Sequence, residues 1–164
     1  MVTRGRRVQM MRRVAVMVSV LVLLATPVLA QDAQIVAIAA TPSGDGVLTV
    51  PIGGVAAFAW AALNYGRGTA ILGAIAAPGL PGTLIQVLDS CLTNPKTGAC
   101  LGGNPIVTLA PGEVVTGSVF VTVTDGGPSL DGSFSRVVVE LIGTNVLGRD
   151  GAIYTATSVA VRTP

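Results

Sequence analysis

Two cysteines, Cys91 and Cys100, stand in the stretch DSCLTNPKTGACLGG and are the only thiols of the chain. Thiols at this spacing could bind a metal, cycle redox equivalents or form a covalent staple. A thiolate metal site takes about four ligands, usually supplied as closely spaced Cys or His pairs, and the chain has no histidine. A redox pair of the Cys-x-x-Cys kind does not fit the spacing, and Lys96 is the only nearby base able to depress a thiol pKa. A disulfide remains. The intervening LTNPKTGA supports it, because Asn94-Pro95 starts a turn and Gly98 relieves strain, so the chain folds back and brings the sulfurs together.

Other groups offer less. Without histidine the commonest general base is missing, and neither a Ser-His-Asp nor a Cys-His arrangement can be built. The carboxylates Asp125 and Asp131 flank the loop DGGPSLDG, and Asp150 follows a loop containing Asn145. Together they could be imagined as an oxygen-lined calcium site or a carboxylate-only active site. Their spacing matches no EF-hand loop, and Asp-Gly is foremost turn chemistry. The glycine-rich stretches GVLTVPIGG and CLGGN lack the Lys-Ser/Thr of a phosphate loop. The single Trp60, beside Phe58, reads as core; a sugar-stacking platform would need it exposed and joined by other aromatics. The expectation is therefore no catalytic residue, no metal ligand and no cofactor, with Cys91 and Cys100 as the one site of chemistry.

Such a staple belongs outside the cytosol, and the N-terminus agrees. A basic stretch, MVTRGRRVQMMRR, precedes the 17 uncharged residues Val14 to Ala30, which contain Pro27 and end on a small residue. This is the pattern of a secretory signal, with cleavage after Ala30 and a mature domain over residues 31–164. An uncleaved anchor is the alternative, since the run is only slightly shorter than the ~20 residues that span a bilayer. Arg12-Arg13 invites a twin-arginine reading, but its surroundings match poorly. The membrane is then met only transiently, through the leader.

Composition narrows the partners. The 164 residues are 51% hydrophobic and 11% charged, which suits one folded domain. Five of the ten basic residues fall before residue 14, so beyond the leader five basic residues face eight acidic ones, a net of −3. Arg67, Lys96, Arg136, Arg149 and Arg162 are scattered singly and form no patch for nucleic acid.

From residue 31 the pattern is that of strands: runs rich in Val, Ile and Thr separated by Gly, Pro, Asn and Asp. Strands are predicted over 34–40, 46–51, 55–63, 70–76, 83–89, 106–109, 114–124, 135–143 and 152–162. The segment VAAFAWAAL has good helix formers in its alanines, so a short buried helix competes with a strand there. The two-residue repeat sends Val119, Val121 and Val123 inward, with Val137, Val139 and Leu141 likewise, and places Thr155, Thr157, Val159 and Val161 opposite Tyr154, Ala156, Ser158, Ala160 and Arg162.

The order TVPIGGVAAFAWAALNYGRGTA, APGLPG, a Cys-bearing segment, VTLAPGEVVTGSVFVTVT and YTATSVAV resembles the immunoglobulin-like repeats of bacterial surface proteins. Those are the cell-adhesion-related (CARDB) domain and the related conserved-repeat domain. The positions that carry the likeness are Gly53, Phe58, Asn64, Gly66, Pro78, Gly79, Leu109, Pro111, Gly112 and Ala156 to Val161. The resemblance implies an all-β, immunoglobulin-like antiparallel sandwich that is secreted, periplasmic or on the cell surface. A stapled sandwich outside the cytoplasm, without catalytic groups, offers sheet edges, loops and a modest apolar surface, so the first expectation is adhesion or assembly through a protein partner or self-association, without catalysis. A module that binds an extracellular polysaccharide is the second expectation.

Overall fold

The computed structural model describes residues 32–79, 84–103, 106–124, 135–146 and 151–164. The predicted leader, residues 1–30, and the carboxylates Asp125, Asp131 and Asp150 lie outside the described residues. Nine strands run along the described chain: β1 (Ile35–Ala40), β2 (Val47–Thr49), β3 (Val55–Asn64), β4 (Ala70–Pro78), β5 (Ile85–Thr93), β6 (Val107–Leu109), β7 (Val114–Val123), β8 (Arg136–Asn145) and β9 (Ala152–Arg162). Each predicted strand finds its counterpart.

The strands form two sheets, one in the order β1-β3-β7-β5 and the other in the order β2-β9-β8-β4-β6. This is an all-β sandwich of immunoglobulin-like kind: one four-stranded sheet faces a sheet built around a central β9-β8-β4 ladder. Two details depart from a plain antiparallel design. After β1 the chain crosses to the other sheet, where β2 runs parallel to β9, with Val47 beside Ala160 and Thr49 beside Arg162. After β4 it crosses to pair β5 with β7, then returns in the short β6 to pair with β4.

The helix alternative for VAAFAWAAL fails. The segment is β3, paired over its length with β7 and along its second half with β1. Alanine's helical preference is worth a few tenths of a kcal/mol per residue, and two flanking ladders outweigh it. Its alanines serve the sheet by leaving room: Phe58 and Trp60 fill the core from the inner face, while Ala57, Ala59 and Ala61 keep the outer face low.

The inner faces follow the predicted alternation. Val119, Val121, Val123, Val137, Val139, Leu141, Val159 and Val161 are all buried and form one cluster with Leu48, Val50, Phe58, Trp60 and Ile85. A smaller cluster of Ala33, Ala70, Leu72, Leu109 and Ile153 fills one end of the sandwich. Ala160 sits on the outward parity of β9 yet is buried, since its ladder neighbours Arg136 and Val47 flank it on both sides.

The β1–β2 link is held by Asp45, whose carboxylate accepts hydrogen bonds from the Ser43 hydroxyl and, at 2.9 Å, from the Val47 N–H. These bonds, the hydroxyl first, hold the exposed Asp45 carboxyl below its ordinary pKa.

Candidate interaction surface

A sandwich meets the world through its loops, its outer faces and the edges of its sheets. Edge strands expose unpaired N–H and C=O groups and are normally shortened, bulged, charged or covered. Three of the four edges here are treated in that way. β2 and β6 are each three residues long. β5 carries a register shift between Val87 and Asp89, a charge at Asp89, and a covered end.

The cover over β5 is the disulfide hairpin. Cys91 and Cys100 are bonded, with their Cα atoms 5.6 Å apart, as the residue types and the turn between them predict. Asn94 organises that turn: its Oδ1 accepts the Lys96 N–H at 2.9 Å, and its carbonyl accepts the Gly98 N–H at 2.8 Å. Gly98 has a φ of 72°, the left-handed conformation that glycine adopts without strain. The returning chain then bonds to the open side of β5, Asn94 N–H to Ala99 at 2.9 Å and Leu101 N–H to Leu92 at 2.8 Å. The staple thus pins a strip of backbone along an edge that core packing does not reach. Replacing both cysteines with alanine is expected to cost at most about 3 kcal/mol, from the entropy of a closed loop this short. Urea unfolding measures that loss, and amide exchange should quicken at Asn94, Ala99 and Leu101 while the β3 and β7 amides stay protected.

β1 carries none of these devices in its own sequence, although β9 of the facing sheet runs close beside it. Its sequence IVAIAA contains no charge, proline or bulge, and among the described residues it pairs with β3 alone. Val36 and Ile38 point outward, with Ile38 63% exposed. The face they begin continues over β3 and β7 through Leu63, Ala61, Ala59, Val114, Thr116 and Ser118, and these three strands contain no charged residue at all. The outer face of the other sheet is also apolar in part, with Ile71, Ile75 and Ile142 exposed. It carries charge, though: Glu140 accepts a 3.0 Å hydrogen bond from the Tyr154 hydroxyl. That bond, more than the carboxylate's charge, holds the Tyr154 phenol above its ordinary pKa.

One end of the sandwich is fixed by Asn64, which the sequence marks as a turn residue and the structure buries completely. Its Nδ2 donates to the carbonyls of Gly68 at 2.7 Å and Leu109 at 3.0 Å. Its Oδ1 accepts from the N–H groups of Gln34 at 3.2 Å and Gly66 at 3.1 Å. One side chain thereby ties the approach to β1, the loop after β3 and the end of β6. Gly66 is needed for a reason other than a positive φ: a Cβ there would strike the backbone of residues 32 to 34. Above this knot lies an open cleft of about 610 Å³, bordered by Asp32, Gln34, Tyr65, Asn145 and Tyr154. Tyr65 is well exposed.

The other sequence-selected residues are placed clearly. Trp60 is 3% exposed and lies against Gly117, its ladder partner on β7, so it is core and offers no platform to a ligand. Among the described residues no group of His, Cys, Asp and Glu is arranged to hold a metal ion, and no helix is long and apolar enough to cross a membrane. Sequence reasoning missed two features. The exposure of Tyr154 is legible in the outward parity of β9, whereas the place of β1 at the end of its sheet appears only once strand order is known.

No family model and no curated protein matches the chain. Solved structures do resemble it. Alpha-2-macroglobulin of Salmonella, reacted with methylamine, shares 17% identity over 79% of this chain at a TM-score of 0.50. The major pilin subunit BcpA of Bacillus cereus, in its D312A form, shares 11% identity over 81% of this chain at a TM-score of 0.49. The chain spans about 7% of the macroglobulin chain and 41% of the pilin chain. At 17% identity the macroglobulin likeness is one of fold.

Proposed function

We propose that this protein is an exported structural module of the cell-adhesion-related and conserved-repeat kind, acting at the cell surface through contacts with other proteins and without catalysis. One observation carries the reading: the outer face is uncharged over β1, β3 and β7 and ends on β1, which among the described residues has no backbone partner but β3, while the three other edges are shortened, bulged or covered. A bare edge beside an apolar face is a surface for protein contact, since it offers main-chain hydrogen bonds with side-chain burial next to them. The disulfide supports an oxidising compartment, and the sequence of the leader supports export.

The test uses protein made by its native host. Cells are cross-linked in place, fractionated, and the protein is analysed by mass spectrometry. The expected result is an N-terminus at Gln31, an oxidised Cys91–Cys100 pair, and cross-links from the β1 end of the molecule to an envelope protein or another copy. Cytosolic protein with free thiols and no cross-linked partner would remove the reading.

A second reading has one observation in its favour. The cleft beside Tyr65 is open and lined by a carboxylate, amides and two aromatic rings, a set that suits a sugar. Binding on a glycan array that is lost in Tyr65→Ala, with the fold kept, would make the protein a polysaccharide-binding module instead.

A further inference from the structure

We propose that the cleft between the starts of β1 and β9 is a site for an uncharged sugar held through side chains. The rings of Tyr65 and Tyr154 take its apolar faces, and Asp32, Gln34 and Asn145 take its hydroxyl groups. This rests on the second reading above and names the class of sugar and the groups that hold it. The uncharged strands β1, β3 and β7 contribute none of these five side chains, so the site is separate from the contact face.

The walls of the cleft are fixed by separate devices. Tyr65 follows the buried Asn64 knot, and its N–H is bonded at 2.9 Å to the carbonyl of Gln34. Asn145 accepts the Ala33 N–H on Oδ1 at 2.7 Å, which sets the amide plane; among the described residues its Nδ2 has no bond of its own. The Tyr154 hydroxyl donates to Glu140 at 3.0 Å, which steadies the ring and leaves the phenol oxygen able to accept. Side chains held in this way lose little freedom when a ligand arrives.

The chemistry of the lining selects the ligand. Along residues 32–34 the main chain is already bonded. The Asp32 carbonyl accepts the Arg67 and Gly68 N–H groups at 3.3 and 3.4 Å, and the Ala33 N–H goes to Asn145. Gln34 uses both its carbonyl, on Tyr65, and its N–H, on Asn64 Oδ1 at 3.2 Å. An extended peptide is held chiefly by main-chain bonds along a strand, and this wall has few left to give. Its side chains remain: aromatic rings with a carboxylate and two amides. A pyranose answers each of them, with C–H faces for the rings and hydroxyls for the oxygen and nitrogen groups. The volume of about 610 Å³ falls within the roughly 300–1,000 Å³ of small-molecule sites. Charge narrows the class. Arg67 borders a smaller adjoining hollow of about 300 Å³ together with Asp32 and Tyr65. One acid and one base favour neither a uronate nor an amino sugar, which leaves the uncharged hexoses and their N-acetyl forms.

An open cleft covers only part of a ring, so a single unit binds weakly. A repeating polymer met by many displayed copies of the protein gains by avidity.

The test titrates the processed full-length protein, with amide shifts recorded by NMR, against oligosaccharides of glucose, galactose and N-acetylglucosamine and against oligogalacturonate. An uncharged oligosaccharide is expected to move the amides of residues 32–34, 65–67 and 152–154, and oligogalacturonate to leave them in place. Tyr65→Ala and Tyr154→Ala should each weaken binding roughly tenfold, whereas Tyr65→Phe keeps most of it. Asn145→Asp keeps an oxygen for the Ala33 N–H and removes the Nδ2 donor, so it should weaken binding roughly fivefold with the fold kept. Lys96→Ala, on the disulfide hairpin, should change nothing. Binding indifferent to both tyrosines would overturn the site. Preference for oligogalacturonate would overturn the uncharged class and leave the second reading standing, whereas no response to any of the four would remove both. Movement of the same amides by extended peptides, and not by sugars, would give the cleft to a protein partner and overturn the proposal.

Discussion

Asn64→Ala is expected to destabilise the fold by about 3–5 kcal/mol, read as a lower urea midpoint with an unchanged slope. The size follows from what the side chain does. It makes four hydrogen bonds at a fully buried position, two as donor and two as acceptor, and its partners are backbone groups of Gln34, Gly66, Gly68 and Leu109. A typical hydrogen bond contributes about 1 kcal/mol net, but a buried group left without a partner costs about 1–3 kcal/mol. Alanine leaves several such groups behind, and partial relaxation with entry of water keeps the total below their sum.

Asn64→Asp sharpens the argument, because it keeps the shape and removes the two donors. At neutral pH it sets a carboxylate against the carbonyls of Gly68 and Leu109. The loss should therefore equal or exceed that of alanine. Burial and those carbonyls raise the folded-state pKa above the unfolded value, so the neutral acid is the form that fits. Part of the stability should return as pH falls toward about 4, and be lost again as pH rises through the folded pKa. A loss that is flat with pH would show that the donors do not matter.

The second large effect is at the pair Trp60 and Gly117. Trp60→Ala should cost about 3–5 kcal/mol, the usual range for emptying a buried indole site. Gly117→Ala should cost about 1–3 kcal/mol, because a Cβ there would overlap the Trp60 ring and force it off its rotamer. The two residues are ladder partners in contact, so their effects should not add. Trp60→Leu with Gly117→Ala should lose clearly less than the sum of Trp60→Leu alone and Gly117→Ala alone, because the added methyl fills space that the indole gave up. Thermal unfolding of the four proteins closes the cycle. Strict additivity would mean that the ring and the glycine are not packed as the structure has them.

These two positions also mark how far residue patterns reach. Asn64 looks like an Asn-Tyr-Gly turn, and it does lie at a strand end. Its burial and its reach to Leu109, 45 residues away, depend on which loops the topology stacks over one another. Gly117 sits inside a long Val/Thr run and gives no local sign of why it is there. Trp60 is easier: one indole among alanines and valines has nowhere to go but inward.

Alternation of side chains is a local property of extended backbone, and so the nine strands, the inward valines of β7, β8 and β9 and the turn that lets Cys91 meet Cys100 are legible from residue order. Even the alanine-rich β3, where propensity favours helix, is betrayed by its flanking turns. Strand neighbours are not local. That β2 would join β9 in parallel, that the hairpin after Cys91 would cover the rim of β5, and that β1 would pair, among the described residues, with β3 alone at the border of an uncharged face are decided by pairings between residues far apart. The surface on which the functional reading rests is therefore written by topology, because an edge exists only by reference to the strand that is not beside it.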